Sequence, residues 1–221
     1  MRFQYLAFDI DGTLFSSEGI ILDTYAEAVQ DYIDRSGSQI IVPSQERIMK
    51  EIGKPVKTIF RNLLPELDEV SRDSISDRVL GLLVKKIESG EGSYYTDSKE
   101  TIQILAESGY KMLACSNGRL PYIDVILRKL GVRDLFLPIC TIDNLTKKEK
   151  GDILLQYCQD YNISPQSILM IGDRYSDWEA AQKSKSPFAF CKYGHAEENE
   201  IPNFEFLLQN VGDLKKILLP G

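Results

Sequence analysis

The stretch AFDIDGTLF, residues 7–15, sets Asp9 and Asp11 at the end of an apolar run and follows them with Gly12 and Thr13. Strand side chains alternate, so an extended chain would put both aspartates on one face, where two carboxylates repel and each resists ionisation. Two readings meet that difficulty. In one, the strand runs into a solvated turn with Asp11-Gly12 as its turn dipeptide. In the other, a cation offsets the repulsion and one carboxylate acts as a nucleophile.

Four further short apolar runs follow: KMLACSN at 111–117, LFLPICTI at 135–142, SILMIGD at 167–173 and PFAFCKYG at 187–194. With QYLAFDID they read as five parallel strands buried on both faces. Amphipathic segments lie between the later runs, such as Ile123, Ile126, Leu127 and Leu130 closed by Gly131. The alternation predicts a doubly wound α/β sheet. The interval 19–92 departs from it, with apolar residues at helical spacing in groups at Leu22 to Ile33, Ile48 and Ile52, Val56 to Leu64, and Ile75 to Ile87. We therefore expect an all-helical insertion, residues 19–90, in a sheet domain formed by residues 1–18 and 91–221. Residues 16–19 and 90–92 would be flexible links and hinges.

The chain has 221 residues, 43% apolar and 27% charged, without an apolar run approaching the roughly 20 residues of a membrane span. Its apolar start meets acid at Asp9, which argues against a signal peptide. A formal net charge of -7 lacks the basic footprint of a nucleic-acid binder, so a small-molecule substrate is expected, with no membrane partner. Four widely spaced cysteines form neither a zinc pattern nor a dense disulfide framework, which fits a reducing cytoplasm. Oligomeric state is not encoded in any pattern of this kind.

Ligands of open α/β sheets gather at the carboxyl ends of the strands. There the sequence offers Asp9, Asp11 and Thr13; Ser116 and Asn117; and Asp173 with Asp177 four residues on, while Lys147, Lys148 and Lys150 follow the third run. Singly, these groups read as a turn, a helix N-terminus and a solvated face. Converging, they would form a site for a divalent cation and a phosphoryl group, since magnesium is commonly held by one or two carboxylates plus substrate phosphate.

In order, DIDGT, Ser116-Asn117, an isolated lysine and GDRYSD resemble the Mg-dependent phosphatases of the haloacid-dehalogenase superfamily, in the phosphoglycolate phosphatase-like branch with a helical cap. The resemblance implies that Asp9 is the nucleophile forming an aspartyl-phosphate and that Asp11 is the general acid and base. It implies a magnesium site from Asp9, Asp11 through its main-chain carbonyl, and Asp173. Thr13, Ser116 and the amides of Gly12 and Asn117 would bind the phosphoryl oxygens, and Asp177 would support the metal or orient the lysine. Lys150, 23 residues before Asp173, is favoured; Lys148, at 25, fits other members.

The substrate would be a small phosphate ester, with a sugar-phosphate mutase as the alternative enzyme and a silent binding module as the non-enzyme reading. The chain departs from many capped members in carrying Ser16 where an aspartate is common, and Gly118 where a lysine often follows the asparagine. Gly53-Lys54-Pro55 is the candidate loop reaching into the site. Arg174 is expected at the surface or bracing its loop, and His195, the only histidine, in solvent.

Overall fold

A computed structural model describes residues 2–142 and 147–219. Strands β1 (Tyr5–Phe8), β4 (Lys111–Ala114), β5 (Ile168–Gly172), β6 (Phe188–Cys191) and β7 (Phe206–Leu208) form one parallel sheet in the order β4-β1-β5-β6-β7. Residues of alternate parity feed two cores. Leu6, Phe8, Met112, Ala114, Leu169 and Ile171 pack on one face. Ala7, Leu113, Ile168 and Met170 pack on the other. Helices on both faces explain why these strands are almost uniformly apolar.

On the second face lie α7 (Lys150–Tyr161) and α8 (Tyr175–Ser184). The first carries α5 (Ser98–Glu107), α6 (Leu120–Leu130) and α9 (Asp213–Leu218). The interval after β1 is helical as expected, comprising α1 (Glu18–Ser36), α2 (Gln45–Glu51), α3 (Val56–Leu63) and α4 (Glu69–Glu88). Its amphipathic faces meet one another: Tyr25 of α1 stacks on Phe60 of α3 with centroids 5.5 Å apart. The segment also packs α4 against α6 of the sheet unit.

Three expectations change. The run at 135–142 is not a strand: only Phe136 makes an isolated bridge, to Met112. Pro138 cannot donate to a ladder, and the Cys140 N–H donates to the Tyr157 hydroxyl (3.0 Å) instead. The fifth strand is β7, which the sequence reading missed. The links at 16–19 and 90–92 are also not two loose strands. Phe15 and Ser16 form β2 and pair antiparallel with β3 (Ser93–Tyr94), while Gly19 already belongs to α1. Gly92 sits at φ +83, and a side chain there would collide with the Phe15 ring. The ribbon is therefore packed, with Phe15 edge-on to Tyr94 at 5.1 Å.

Candidate active site

β1 occupies an inner position, with β4 and β5 on either side, so the chain leaves it in both directions and opens a crevice at its carboxyl end. Register places Phe8 beside Ala114 and Ile171. The residues just beyond those three share one edge: Asp9, Cys115 to Asn117, and Gly172 with Asp173. The Asp9 N–H continues the ladder to the Ile171 carbonyl (2.9 Å), and its parity matches Ala7, toward α7.

Lys150, the first residue of α7, meets it there. Its Nζ lies 3.1 Å from Asp9 Oδ2 and 2.6 Å from Asp177 Oδ1, with all three side chains buried. Burial alone would lower the lysine's pKa, but Asp177 and Asp9 outweigh it and raise it above the ordinary lysine range. Lys148 is exposed, and its N–H donates to Asp152 (2.9 Å), so of the two lysines it is Lys150 whose ammonium reaches Asp9. Asp177 is the third residue of α8; its Oδ2 accepts the N–H groups of Asp173 (3.1 Å) and Arg174 (2.9 Å). Those bonds tie the β5–α8 turn to the lysine.

Asp173 is fully buried, accepting from the Thr13 hydroxyl (3.3 Å) and the His195 N–H (2.6 Å). His195 is half-buried with its Nε2 unpartnered, rather than solvated as expected, because the turn after β6 folds back over this carboxylate. A Cβ on Gly12 or Gly194 would overlap Asp173, which shows how closely two backbone segments wrap it. Gly12 also corrects a sequence expectation: its N–H already donates to the Phe15 carbonyl (2.9 Å) and is not free to hold a phosphoryl oxygen here.

Asp11 does not share a face with Asp9. The strand ends at Phe8, and the Ile10 carbonyl accepts the N–H groups of Thr13, Leu14 and Phe15 in a tight turn. Asp11 is thereby swung toward α1 and α6, where its Oδ1 accepts from Ser17 (2.9 Å) and Tyr122 (2.8 Å). Burial is the main reason its pKa rises to about 6, with the Asp9 charge adding to it and both hydrogen bonds opposing. Tyr122 was missed in the sequence, since it reads there as one more apolar position on the α6 face. Ser116 and Asn117 are buried at the same edge. Asn117 Nδ2 donates to the Gly53 carbonyl (2.7 Å), which also accepts from Ser176 (3.1 Å), so the loop at 53–55 touches the site's rim. Arg174 braces the same region, donating to Glu200 (2.9 Å) and the Ile52 carbonyl (3.1 Å).

Among the described residues, Asp9, Asp173 and Asp177 each present a carboxylate oxygen within 4.8 Å of the others. Three buried carboxylates thus face a single ammonium. Burial and mutual repulsion raise the pKa of Asp173 and of Asp177. Asp9 Oδ2 has the Lys150 ammonium as its one partner, whereas both oxygens of Asp177 are hydrogen-bonded. This donor set suits a hard divalent cation, which would offset the excess negative charge. Asp173 also uses both oxygens, on the Thr13 hydroxyl and the His195 N–H, so among the three Asp9 is the carboxylate least engaged by hydrogen bonds. The Asp11 carboxylate lies outside the triad, which leaves its main-chain carbonyl as the only means by which Asp11 could serve such an ion.

A chain that carries its charged residues at the carboxyl edge of this sheet, with helices inserted after the first strand, belongs to the haloacid dehalogenase-like hydrolases; that family's model matches residues 3–185. Among similar proteins, the phosphoglycolate phosphatase of Vibrio parahaemolyticus is 23% identical over 228 residues, covering 97% of this chain and 96% of its own. Pyrophosphatase PpaX of Listeria welshimeri is 25% identical over 217 residues, covering 96% and 95%. The fold matches the crystal structure of a predicted phosphoglycolate phosphatase from Haemophilus somnus with a TM-score of 0.84 at 20% identity over 98% of both chains. Among the described residues no helix is long and apolar enough to cross a membrane.

Proposed function

We propose that this hydrolase is a magnesium-dependent phosphatase that cleaves a small phosphate monoester through an aspartyl-phosphate on Asp9. The observation that carries this reading is the buried Asp9 carboxylate, ion-paired through Oδ2 with Lys150 (3.1 Å) at the foot of a cavity that Asp9 and Asp11 both line. A carboxylate so placed is desolvated and held in position by the ammonium, the requirements for a carboxylate nucleophile. Asp9 attacks phosphorus while Asp11, on the cavity side, gives its proton to the departing oxygen. Asp11 then takes a proton from the water that hydrolyses the acyl-phosphate, so the same carboxyl serves both halves of the cycle. Ser116 and the Asn117 amide hold the phosphoryl oxygens, the Thr13 hydroxyl joins them by turning from Asp173, and Lys150 balances their charge. Magnesium held by the Asp9 and Asp173 carboxylates and the Asp11 main-chain carbonyl supplies further charge neutralisation when bound.

Residues 19–90 serve as a cap on a catalytic unit formed by residues 1–18 and 91–221, moving as a body about the paired β2–β3 ribbon that joins them. Closure would exclude water from the first step, and opening would release product. The test is hydrolysis of p-nitrophenyl phosphate with magnesium and with EDTA, followed by acid quench and mass spectrometry of the peptide containing Asp9. Magnesium-dependent turnover with phosphate on Asp9 is expected. Turnover indifferent to EDTA, or phosphate found on another residue, overturns the mechanism.

A further inference from the structure

Above Asp9 and Asp11 the cavity continues upward between α1, α3, α4 and the start of α6, enclosing about 90 Å³. Its walls are Ile21 and Tyr25 of α1, Ile59 and Phe60 of α3, and Val79 and Leu83 of α4. Among the described residues two cations line it, and each is paired with a carboxylate. Lys54 Nζ pairs with Glu51 (2.9 Å), which also accepts from Asn62. Arg119 donates to Asp77 (2.5 Å) and to the Ser76 carbonyl (2.8 Å). Lys150, below, is shared between Asp9 and Asp177. An ester with a second anionic group would therefore bring an unpaired charge against aliphatic and aromatic walls and close to Asp11, at a large desolvation cost.

Resting on the phosphatase reading, we infer that the preferred substrate has a neutral, mainly apolar leaving group of a few carbon atoms, unlike phosphoglycolate and pyrophosphate. The leaving oxygen sits by Asp11 and the hydrocarbon points toward Phe60 and Leu83. Each methylene buried in such a space is worth about fourfold in binding. Benzene occupies an engineered apolar cavity of roughly 150 Å³, so the gain stops within a short chain.

The experiment measures kcat/KM in magnesium for methyl, ethyl, n-propyl, n-butyl and n-hexyl phosphate, 2-phosphoglycolate, pyrophosphate and p-nitrophenyl phosphate. The expected result is a rise of about fourfold per methylene that levels off before hexyl. Both anionic substrates should fall at least about tenfold below n-butyl phosphate. Equal or better turnover of either anionic substrate, with p-nitrophenyl phosphate hydrolysed, overturns this inference and leaves the phosphatase reading standing. Failure of every ester, p-nitrophenyl phosphate included, overturns both. A second arm uses Asp77→Asn, an exposed position that frees one arm of Arg119 without touching the sheet. The ratio of phosphoglycolate to n-butyl phosphate turnover should rise severalfold; an unchanged ratio overturns the claim that pairing of Arg119 excludes the second charge.

Discussion

The two halves of the cavity are built on opposite principles. At its floor Asp9 and Asp11 open onto a knot of buried charge beneath, where Asp9, Asp173, Asp177 and Lys150 cluster along one sheet edge. Its roof is apolar side chains on four helices, with the nearby cations satisfied by their own partners. In the proposed mechanism the floor acts on a phosphoryl group whatever is attached to it. The roof meets only the attached group, and it selects by shape and desolvation. Chemistry and selectivity therefore reside in different segments of chain and should fail separately under substitution.

The sharpest break in the floor is Asp9→Asn. Loss of the proposed nucleophile should reduce kcat on the order of 10³-fold or more. Because it also removes one of three crowded carboxylates, the metal-free variant should melt higher than the metal-free parent, and magnesium should raise its melting temperature less. Thermal unfolding with and without magnesium reads both effects. A magnesium shift equal to the parent's would show that Asp9 is not a ligand.

Lys150→Met should act in the other direction. Removing the only ammonium leaves Asp9 and Asp177 buried without their partner, a change that costs about 3–5 kcal/mol in comparable pairs. Urea unfolding measures it, and a loss below about 1 kcal/mol, the range of exposed pairs, would contradict the burial described for this group. The corresponding substitution at exposed Lys148 should be nearly silent.

Tyr122 lies between floor and roof, on α6, with its hydroxyl on Asp11. A hydrogen bond to a charged acceptor contributes about 1.5–3 kcal/mol, so Tyr122→Phe should slow poor leaving groups about tenfold or more and p-nitrophenyl phosphate less. The bond favours ionised Asp11, so its loss should move the Asp11 pKa upward from about 6. The pH profile of kcat for alkyl esters should shift to higher pH; a profile that stays in place would assign Tyr122 to packing alone.

The same division explains what could be read from sequence. Asp9, Asp173 and Asp177 were legible because each follows an apolar strand that fixes where its side chain emerges, and Lys150 because it opens a helix in the same layer. Asp11 was misplaced by assuming the strand continued, when three N–H groups converging on the Ile10 carbonyl end it. β7 was missed because it is a short edge strand whose apolar run is only Phe206 to Leu208, with Leu207 exposed and Leu208 alone buried. At 135–142 the run is apolar for another reason, packing Leu137, Cys140 and Ile142 against the α7 side of the core. The helical content of the roof was plain in its periodicity. Its chemistry was not, since whether Lys54 and Arg119 are available depends on Glu51 and Asp77, which carry no motif.

The smallest expected effect concerns the clamp between the two halves. Glu200 accepts from the Arg174 Nε (2.9 Å), the Tyr175 N–H (2.7 Å) and the Glu197 N–H (3.0 Å), while Arg174 reaches the Ile52 carbonyl of the roof. Burial would raise the Glu200 pKa, but the Tyr175 and Glu197 amides and Arg174 outweigh it and hold it below the ordinary value of 4.5. A carboxyl whose folded pKa is depressed contributes stability that is present above its unfolded pKa and is lost as pH falls through the folded value. Glu200→Gln should therefore cost under about 1 kcal/mol at neutral pH, the scale of a solvent-screened ion pair. The gap to the parent should close below pH 4.5, because the parent's own carboxyl is then protonated. Paired urea titrations at neutral and acidic pH measure that gap. A gap that persists in acid would mean that the carboxyl's shape, not its charge, holds Arg174 against the roof.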